Sequence, residues 1–185
     1  MENIIDKEAS AKEDVSLMLA AKAGDLDAFS FLVKKHQNSL MNFFRRSGVY
    51  IDVEDIAQET FLKLYRARSS YEAKAKFTTF LYLIARQVMI DHFRKQERKA
   101  QLLQKYGEEV PQFEAPKEDD GESDEIMAAL ATLTPALRET IVLVIMQGMS
   151  YQDAAEILGV PLGTVKSRVS VGLGRLKAYF LKLGK

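Results

Sequence analysis

The sequence has no cysteine and no tryptophan, only two histidines and only four prolines in 185 residues. Without cysteine there is no disulfide scaffold, no thiol nucleophile and no thiolate metal site. His36 and His92 lie too far apart to form a zincin-type pair on one helix turn, so no metal centre is expected. No uninterrupted apolar run exceeds six residues, the length of Ile141–Met146, far short of the ~20 that span a bilayer. The first residues, Met1-Glu2-Asn3-Ile4-Ile5-Asp6, have neither a basic region nor an apolar stretch, so no signal peptide is read. Period-two alternation is nearly absent, and Val, Ile and Thr do not cluster between turns, which argues against strands. What is present is 47% hydrophobic and 28% charged residues, enough apolar material for a core. The expectation is a cytoplasmic all-α protein with no cofactor and no membrane insertion.

The net charge of zero conceals a partition. Residues 1–33 carry −4, residues 34–105 carry +8, residues 106–125 carry −8 and residues 126–185 carry +4. Two basic blocks are thus separated by an acidic insert, an asymmetry that points to a polyanion partner.

Helix signals divide the chain. Asp14–Ala23 reads as a short helix stopped by Gly24. Asp25 caps a second that ends near Ser47 and Gly48. Asp52 caps a third, through about Arg68. A fourth runs from Phe77 or Thr78 to about Tyr106. Residues 107–124 hold two prolines, two glycines and a run of acids, the composition of a flexible, self-repelling linker. Helices resume near Ser123. Thr134-Pro135 supplies a cap followed by proline at the first helical position. Gly148 ends that helix, Ser150 caps the next, Gly159 ends it, and the last helix runs from about Leu162 to Leu183. The expected architecture is two small helical domains, 14–106 and 125–183, joined by a flexible acidic linker at 107–124.

The sharpest local signal is Ser150–Val169. Ser150 with Asp153 reads as a capping box with Asp in the usual Glu place. Ala154 and Ala155 are small enough for a close helix crossing, and Gly159 permits the positive φ of a tight turn. This is a helix-turn-helix layout. On its second helix Val165, Val169, Gly172 and Leu176 share one face, while Thr164, Ser167, Arg168 and Arg175 share the other. A short polar-basic face of that kind fits a major groove.

In the third helix Val53, Ile56, Ala57, Thr60 and Leu64 form the core stripe. Asp55, Gln58, Glu59, Leu62 and Arg66 lie on the other side. One leucine on a polar face suits a protein partner. In the fourth helix Leu81, Ile84, Ala85, Val88, Met89 and His92 make the apolar side. Gln87, Asp91, Arg94 and Arg98 recur on the opposite side, flanked by Arg86 and Lys95. Gln and Arg read base edges and phosphates, and Asp91 can orient its basic neighbours. Phe77, Phe80 and Tyr82 stand beside that basic face, where aromatics suit stacking on unpaired bases; the alternative is that Phe77 and Phe80 are core. His92 reads as a packed histidine.

Together these blocks resemble the extracytoplasmic-function group of the sigma-70 family, the small two-domain bacterial sigma factors. Asp52–Phe61 resembles that family's core-polymerase-binding segment. Phe77–Arg94 resembles its −10 melting and recognition segment. Leu133–Arg138, Gly148–Tyr151 and Gly163–Arg168 resemble its −35-binding domain. The resemblance implies a protein that binds the clamp and flap regions of core RNA polymerase, directs it to promoter DNA, answers to an anti-sigma factor and performs no bond chemistry itself. Asp52, Glu54, Asp55, Gln58, Glu59 and Leu62 would face the polymerase. Phe77, Phe80, Arg86, Gln87, Asp91, Arg94, Lys95 and Arg98 would lie at the −10 element. Ser150, Tyr151, Thr164, Lys166, Ser167, Arg168 and Arg175 would lie at the −35 element.

The sequence departs from the family pattern in three places. Phe77 and Phe80 stand where a tryptophan is common. Gln87 stands where Asn is common. Val171-Gly172-Leu173 replaces a usual Arg-Ala-Arg triplet, which puts Val171 on the outward face and two glycines, Gly172 and Gly174, in a helix interior at about 1 kcal/mol each. A bend of the last helix is expected there, or a different contact. The eroded triplet keeps open a sigma-like mimic that sequesters an anti-sigma factor. A stand-alone helix-turn-helix regulator is the other alternative, although no dimerisation element is visible.

Overall fold

Side-chain periodicity becomes eight α-helices in the computed structural model, which describes residues 4–74, 76–106 and 121–184. They are α1 (Ile4–Lys22), α2 (Leu26–Arg46), α3 (Val53–Ala67), α4 (Phe77–Lys105), α5 (Gly121–Ala131), α6 (Pro135–Ile141), α7 (Tyr151–Leu158) and α8 (Leu162–Lys182). A 3-10 turn follows α3 at Arg68–Ser70, and a π-turn, Val142–Met146, continues α6. No strand occurs among the described residues. Most of the expected acidic linker, residues 107–120, lies outside the described residues.

Local chemistry explains most boundaries. The Asp25 carboxylate accepts hydrogen bonds from the backbone N–H groups of Asp27 and Ala28 at 2.9 and 3.0 Å, as an N-cap should. Two acidic residues read as helix starts behave otherwise. Asp14 does not begin α1, which starts ten residues earlier; it is buried inside it. Its carboxylate meets Lys35 at 2.7 Å and His36 at 3.0 Å and so ties α1 to α2. Asp52 does precede α3, but at φ 57° it makes no side-chain cap bond. A capping residue needs an extended backbone to aim its oxygen at the first-turn N–H groups, and the left-handed conformation turns it away.

Helices α1 to α4 pack around Met18, Leu32, Leu40, Phe43, Phe44, Leu64, Leu81 and Ala85, each at most 1% exposed. The expected α3 stripe of Val53, Ile56, Ala57, Thr60 and Leu64 is buried, and Phe61 joins it. Helices α5 to α8 pack around Leu130, Leu133, Ile141, Leu143, Ala154, Ile157, Val165 and Val169. Gly159 takes φ 64° at the end of α7 and makes the helix-turn-helix corner.

Gly172 does not mark a bend. It is buried where α8 crosses α6, and a Cβ placed there would lie 2.7 and 2.9 Å from Cγ1 and Cδ1 of Ile141. Ile141 is itself buried and β-branched, so it has little freedom to turn aside. The glycine that lowers helix propensity is what permits the close crossing. Gly174, one residue beyond the next, has nothing within 4 Å of such a Cβ.

These two glycines should respond oppositely to alanine. Gly174→Ala should raise stability by about 0.5–1 kcal/mol through helix propensity alone. Gly172→Ala gains the same propensity but meets overpacking of about 1–3 kcal/mol, so it should be the less stable of the pair and fall below the parent. Urea denaturation of both variants checks the order. Equal midpoints would mean that α6 and α8 are not in tight contact at Gly172.

Candidate nucleic-acid and polymerase interface

Three surfaces carry the expected site residues. The outer side of α3 exposes Glu54, Asp55, Gln58 and Leu62, the leucine 58% exposed. Glu54 pairs with Arg45 at 3.0 Å, and the half-buried Glu59 pairs with Lys63 at 3.2 Å. Asp52 lies at the same end, exposed. One face of α3 thus combines acids, an amide and an unpartnered leucine.

On α4, Gln87, Arg94, Lys95 and Arg98 are exposed. Asp91 lies 3.7 Å from Lys63 and 3.8 Å from Arg94, so it does steady basic neighbours, at long range. Burial lowers the pKa of His92, in keeping with a packed imidazole. Phe77 is a correction: it is 1% exposed, its ring packs 5.0 Å from His36, and it offers no surface to a base. Tyr82 is likewise buried. Phe80 is half-buried, 5.3 Å from Tyr71. These aromatics begin a helix that lies across the core, so the apolar side of α4 claims them before any ligand can.

The third surface is the helix-turn-helix of α7 and α8. The Ser150 hydroxyl oxygen accepts from the Asp153 backbone N–H at 3.0 Å, the expected cap. The return half of the capping box is different. Asp153 does not reach back to the Ser150 N–H; its carboxylate accepts from the Ser150 hydroxyl at 2.6 Å and from the other half of the chain. Tyr151, Lys166, Ser167 and Arg175 are exposed, and Thr164 and Arg168 are half-buried. The Ser167 hydroxyl donates to the Thr164 carbonyl at 2.9 Å. Val171 is exposed, as expected from its outward face.

The second and third surfaces do not stand apart. Helix α7 lies on α4, and the π-turn contacts α2. Arg86 donates through Nε to Glu139 at 2.7 Å. The Gln147 carbonyl accepts from the hydroxyls of Ser39 and Tyr82 at 2.8 and 2.7 Å. Asp153 accepts from Lys76 at 2.8 Å and Thr79 at 3.3 Å. Burial pushes the Tyr82 hydroxyl up to about 12, so it remains a donor. Burial also raises the Glu139 carboxyl, against the pull of Arg86 and Arg168.

Residues 32–99 match the family model for sigma-70 region 2, and residues 123–176 match that for sigma-70 region 4. The chain is 31% identical over 169 residues to the ECF RNA polymerase sigma factor SigW of Bacillus subtilis, covering 84% of this chain and 90% of that one. It is 30% identical over 167 residues to the probable RNA polymerase sigma-C factor of Mycobacterium bovis, covering 88% and 90%. The chain belongs to the extracytoplasmic-function (ECF) sigma factors. Solved structures share its fold, two of them sigma factors held in complexes. CnrH in complex with the cytosolic domain of CnrY has a TM-score of 0.71 at 28% identity and covers 94% of this chain and 99% of that one. The sigma factor RpoE in complex with the anti-sigma factor NepR, from Bartonella quintana, has a TM-score of 0.70 at 30% identity and covers 86% and 100%.

In this sigma factor, sequence reasoning missed the residues that join the halves: Ser39, Lys76, Thr79, Glu139 and Gln147. One signal was available. Glu139 and Asp153 are two of only three acids in residues 126–185, which otherwise carry seven Lys and Arg. An acid kept in a basic segment invites the question of which cation it serves. Gln147 left no such mark, since its role depends on the π-turn that carries it.

Asp153 gives a pH test. Burial opposes its charge, but hydrogen bonds from Lys76 and Ser150 hold its pKa below the ordinary value. A carboxyl depressed in the folded state contributes stability above its unfolded pKa of about 3.9 and loses it as pH falls through the lower folded value. Asp153→Asn should therefore be less stable than the parent at neutral pH, with the gap closing below about pH 4. Denaturation curves across that range measure it; a gap that persists unchanged into acid would show that the charge is not what Asp153 contributes.

Proposed function

We propose that this sigma factor binds core RNA polymerase through the outer face of α3 and directs it to promoters, using α4 at the −10 element and α7–α8 at the −35 element. The observation that carries the reading is the pairing, in one chain and in this order, of a region 2 match holding the exposed Gln87, Arg94, Lys95 and Arg98 with a region 4 match holding a helix-turn-helix. We assign residues 14–106 to the first function, 125–183 to the second, and 107–124 to a linker between them. The polymerase supplies the bond chemistry. No helix among the described residues is long and apolar enough to cross a membrane. An anti-sigma factor is the expected inhibitor, since the similar RpoE is bound to one.

On α3, Asp52, Glu54, Asp55, Gln58, Glu59 and Leu62 combine charge for orientation with one apolar anchor, a mixture that suits a protein interface. On α4, Arg86, Gln87, Arg94, Lys95 and Arg98 meet phosphates and base edges of the −10 strand, with Asp91 as a positioning residue. Phe80 remains the aromatic available beside them. On α8, Thr164, Lys166, Ser167, Arg168 and Arg175 approach the duplex, with Ser150 and Tyr151 at the start of α7.

Run-off transcription with core polymerase, with and without this protein, decides the reading; no promoter-dependent transcript would end it. Reversing two charges on α3, Asp55→Arg with Glu59→Arg, should reduce co-purification with core polymerase while helicity is kept. Unchanged co-purification would move the polymerase contact elsewhere.

The exposed Val171 sits where the family commonly has Arg. Val171→Arg should tighten binding to a −35-type duplex and steepen its salt slope by about 1, the share of one phosphate contact. Arg168→Ala should weaken it. A transcript level untouched by Arg168→Ala would favour the sigma-mimic alternative, in which α8 meets a protein.

A further inference from the structure

The outward side of α8 carries a narrow strip of short side chains between two rows of cations. Ser167, Val171, Gly174 and Ala178 follow one another along it at helical spacing, all exposed. Lys166 and Lys177 stand about a quarter-turn to one side of the strip, and Arg168 and Arg175 about as far to the other. Val171 is the one branched side chain in the strip and is 49% exposed. Its neighbours leave it proud of the surface: a Cβ built on Gly174 would have nothing within 4 Å. The Ser167 hydroxyl donates to the Thr164 carbonyl at 2.9 Å, so its one proton stays inside the helix.

A helix with cations along both edges lies in a major groove with each row toward the phosphates of one strand, and the strip between them then faces the base edges. Short side chains let the helix approach the groove floor. Valine has no donor and no acceptor, and it is too short to reach a phosphate from the middle of the groove, as an arginine at the same place could. On a base edge it gains only by burying apolar surface. The apolar group that the major groove offers is the methyl on C5 of thymine, and a methylated cytosine carries the same group. A purine N7 or O6, or a cytosine amino group, would lose water beneath valine without a partner. Branching at Cβ holds the side chain in one rotamer on a helix, so both methyls are fixed before DNA arrives.

We propose that Val171 reads the C5-methyl group of a pyrimidine in the −35 element and so sets one base position of the promoters this sigma factor selects. This rests on the −35 role proposed above for α8. Thymine is the ordinary source of that methyl, and 5-methylcytosine is the other.

The test uses holoenzyme assembled from the full chain and core polymerase. Enrichment of a library of fully randomised duplexes gives an upstream and a downstream motif. On one enriched duplex, each thymine of the upstream motif, on either strand, is replaced in turn by deoxyuridine, which removes the methyl and keeps every hydrogen-bonding group. At one position the parent should bind roughly fourfold more weakly, the share of one buried methyl. Val171→Ala should lose a similar factor on the thymine duplex and make no distinction between thymine and deoxyuridine there. Alanine is the better helix former and the position is exposed, so folding is not at stake. Because the contact is apolar, the ratio should hold as salt rises while the affinity itself falls.

A second pair of duplexes, with cytosine or 5-methylcytosine opposite guanine at that position, separates the two sources. A gain on methylation that Val171→Ala lacks extends the reading to methylated cytosine, and no gain confines it to thymine. An upstream motif without thymine, no deoxyuridine effect at any position, or an effect that persists in Val171→Ala overturns the proposal while the sigma-factor reading stands. If that reading is itself wrong, the holoenzyme enriches no motif and gives no run-off transcript, and both fall together.

Discussion

The seating of one basic half of the chain on another depends on a few acidic and amide groups. Residues 34–105 carry +8 and residues 126–185 carry +4, so the two repel at long range. They meet where Glu139 and Asp153 present carboxylates to Arg86 and Lys76, and where Gln147 fills the intervening space with neutral hydrogen bonds. At short range, charge-assisted hydrogen bonds outweigh a repulsion that solvent and salt screen over about 10 Å. These polar contacts lie beside a buried apolar cluster that continues from one half into the other.

The π-turn at Val142–Met146 belongs to the same construction. Its wider bonding, with the Gln147 N–H donating five residues back to Val142 at 2.9 Å, shifts the register of the chain after α6. Val142 and Leu143 are thereby buried, while Gln147 is delivered to Ser39 and Tyr82. π-turns recur at functional positions because they re-aim a side chain at modest cost. Within the C-terminal half, the Gly172–Ile141 crossing plays a comparable part: it draws α8 against α6 and so sets the direction of the face that bears Lys166, Ser167 and Arg175.

The N-terminal half exposes Leu62, Gln87, Arg94, Lys95 and Arg98 and buries Phe77 and Tyr82, two of the aromatics beside that basic face. Leu62 and the acids around it stay outside because Ile56, Ala57, Thr60 and Leu64 fill the inward stripe of α3. Phe77 and Tyr82 go inside because α4 lies across the α1–α3 core, and burying a large ring outweighs leaving it for a ligand.

The sequence alone determined the all-helical fold, because apolar periodicity and punctuation by Gly24, Gly48, Gly148 and Gly159 are local properties of the chain. It also determined the helix-turn-helix, the α3 stripe and the exposed basic residues of α4, since position on a helix face follows from spacing. Tertiary structure decided what depends on a second element. Asp14 became an interhelix partner instead of a cap because Lys35 and His36 of α2 face it. Gly172 became a packing necessity because Ile141 approaches it. Phe77 became core because a neighbouring helix covers it. Arg86 became bound because Glu139, more than fifty residues away, comes to meet it. A side chain's direction is written in its own segment, but its partner is not, and in this chain the partner decides whether a charge is free or engaged.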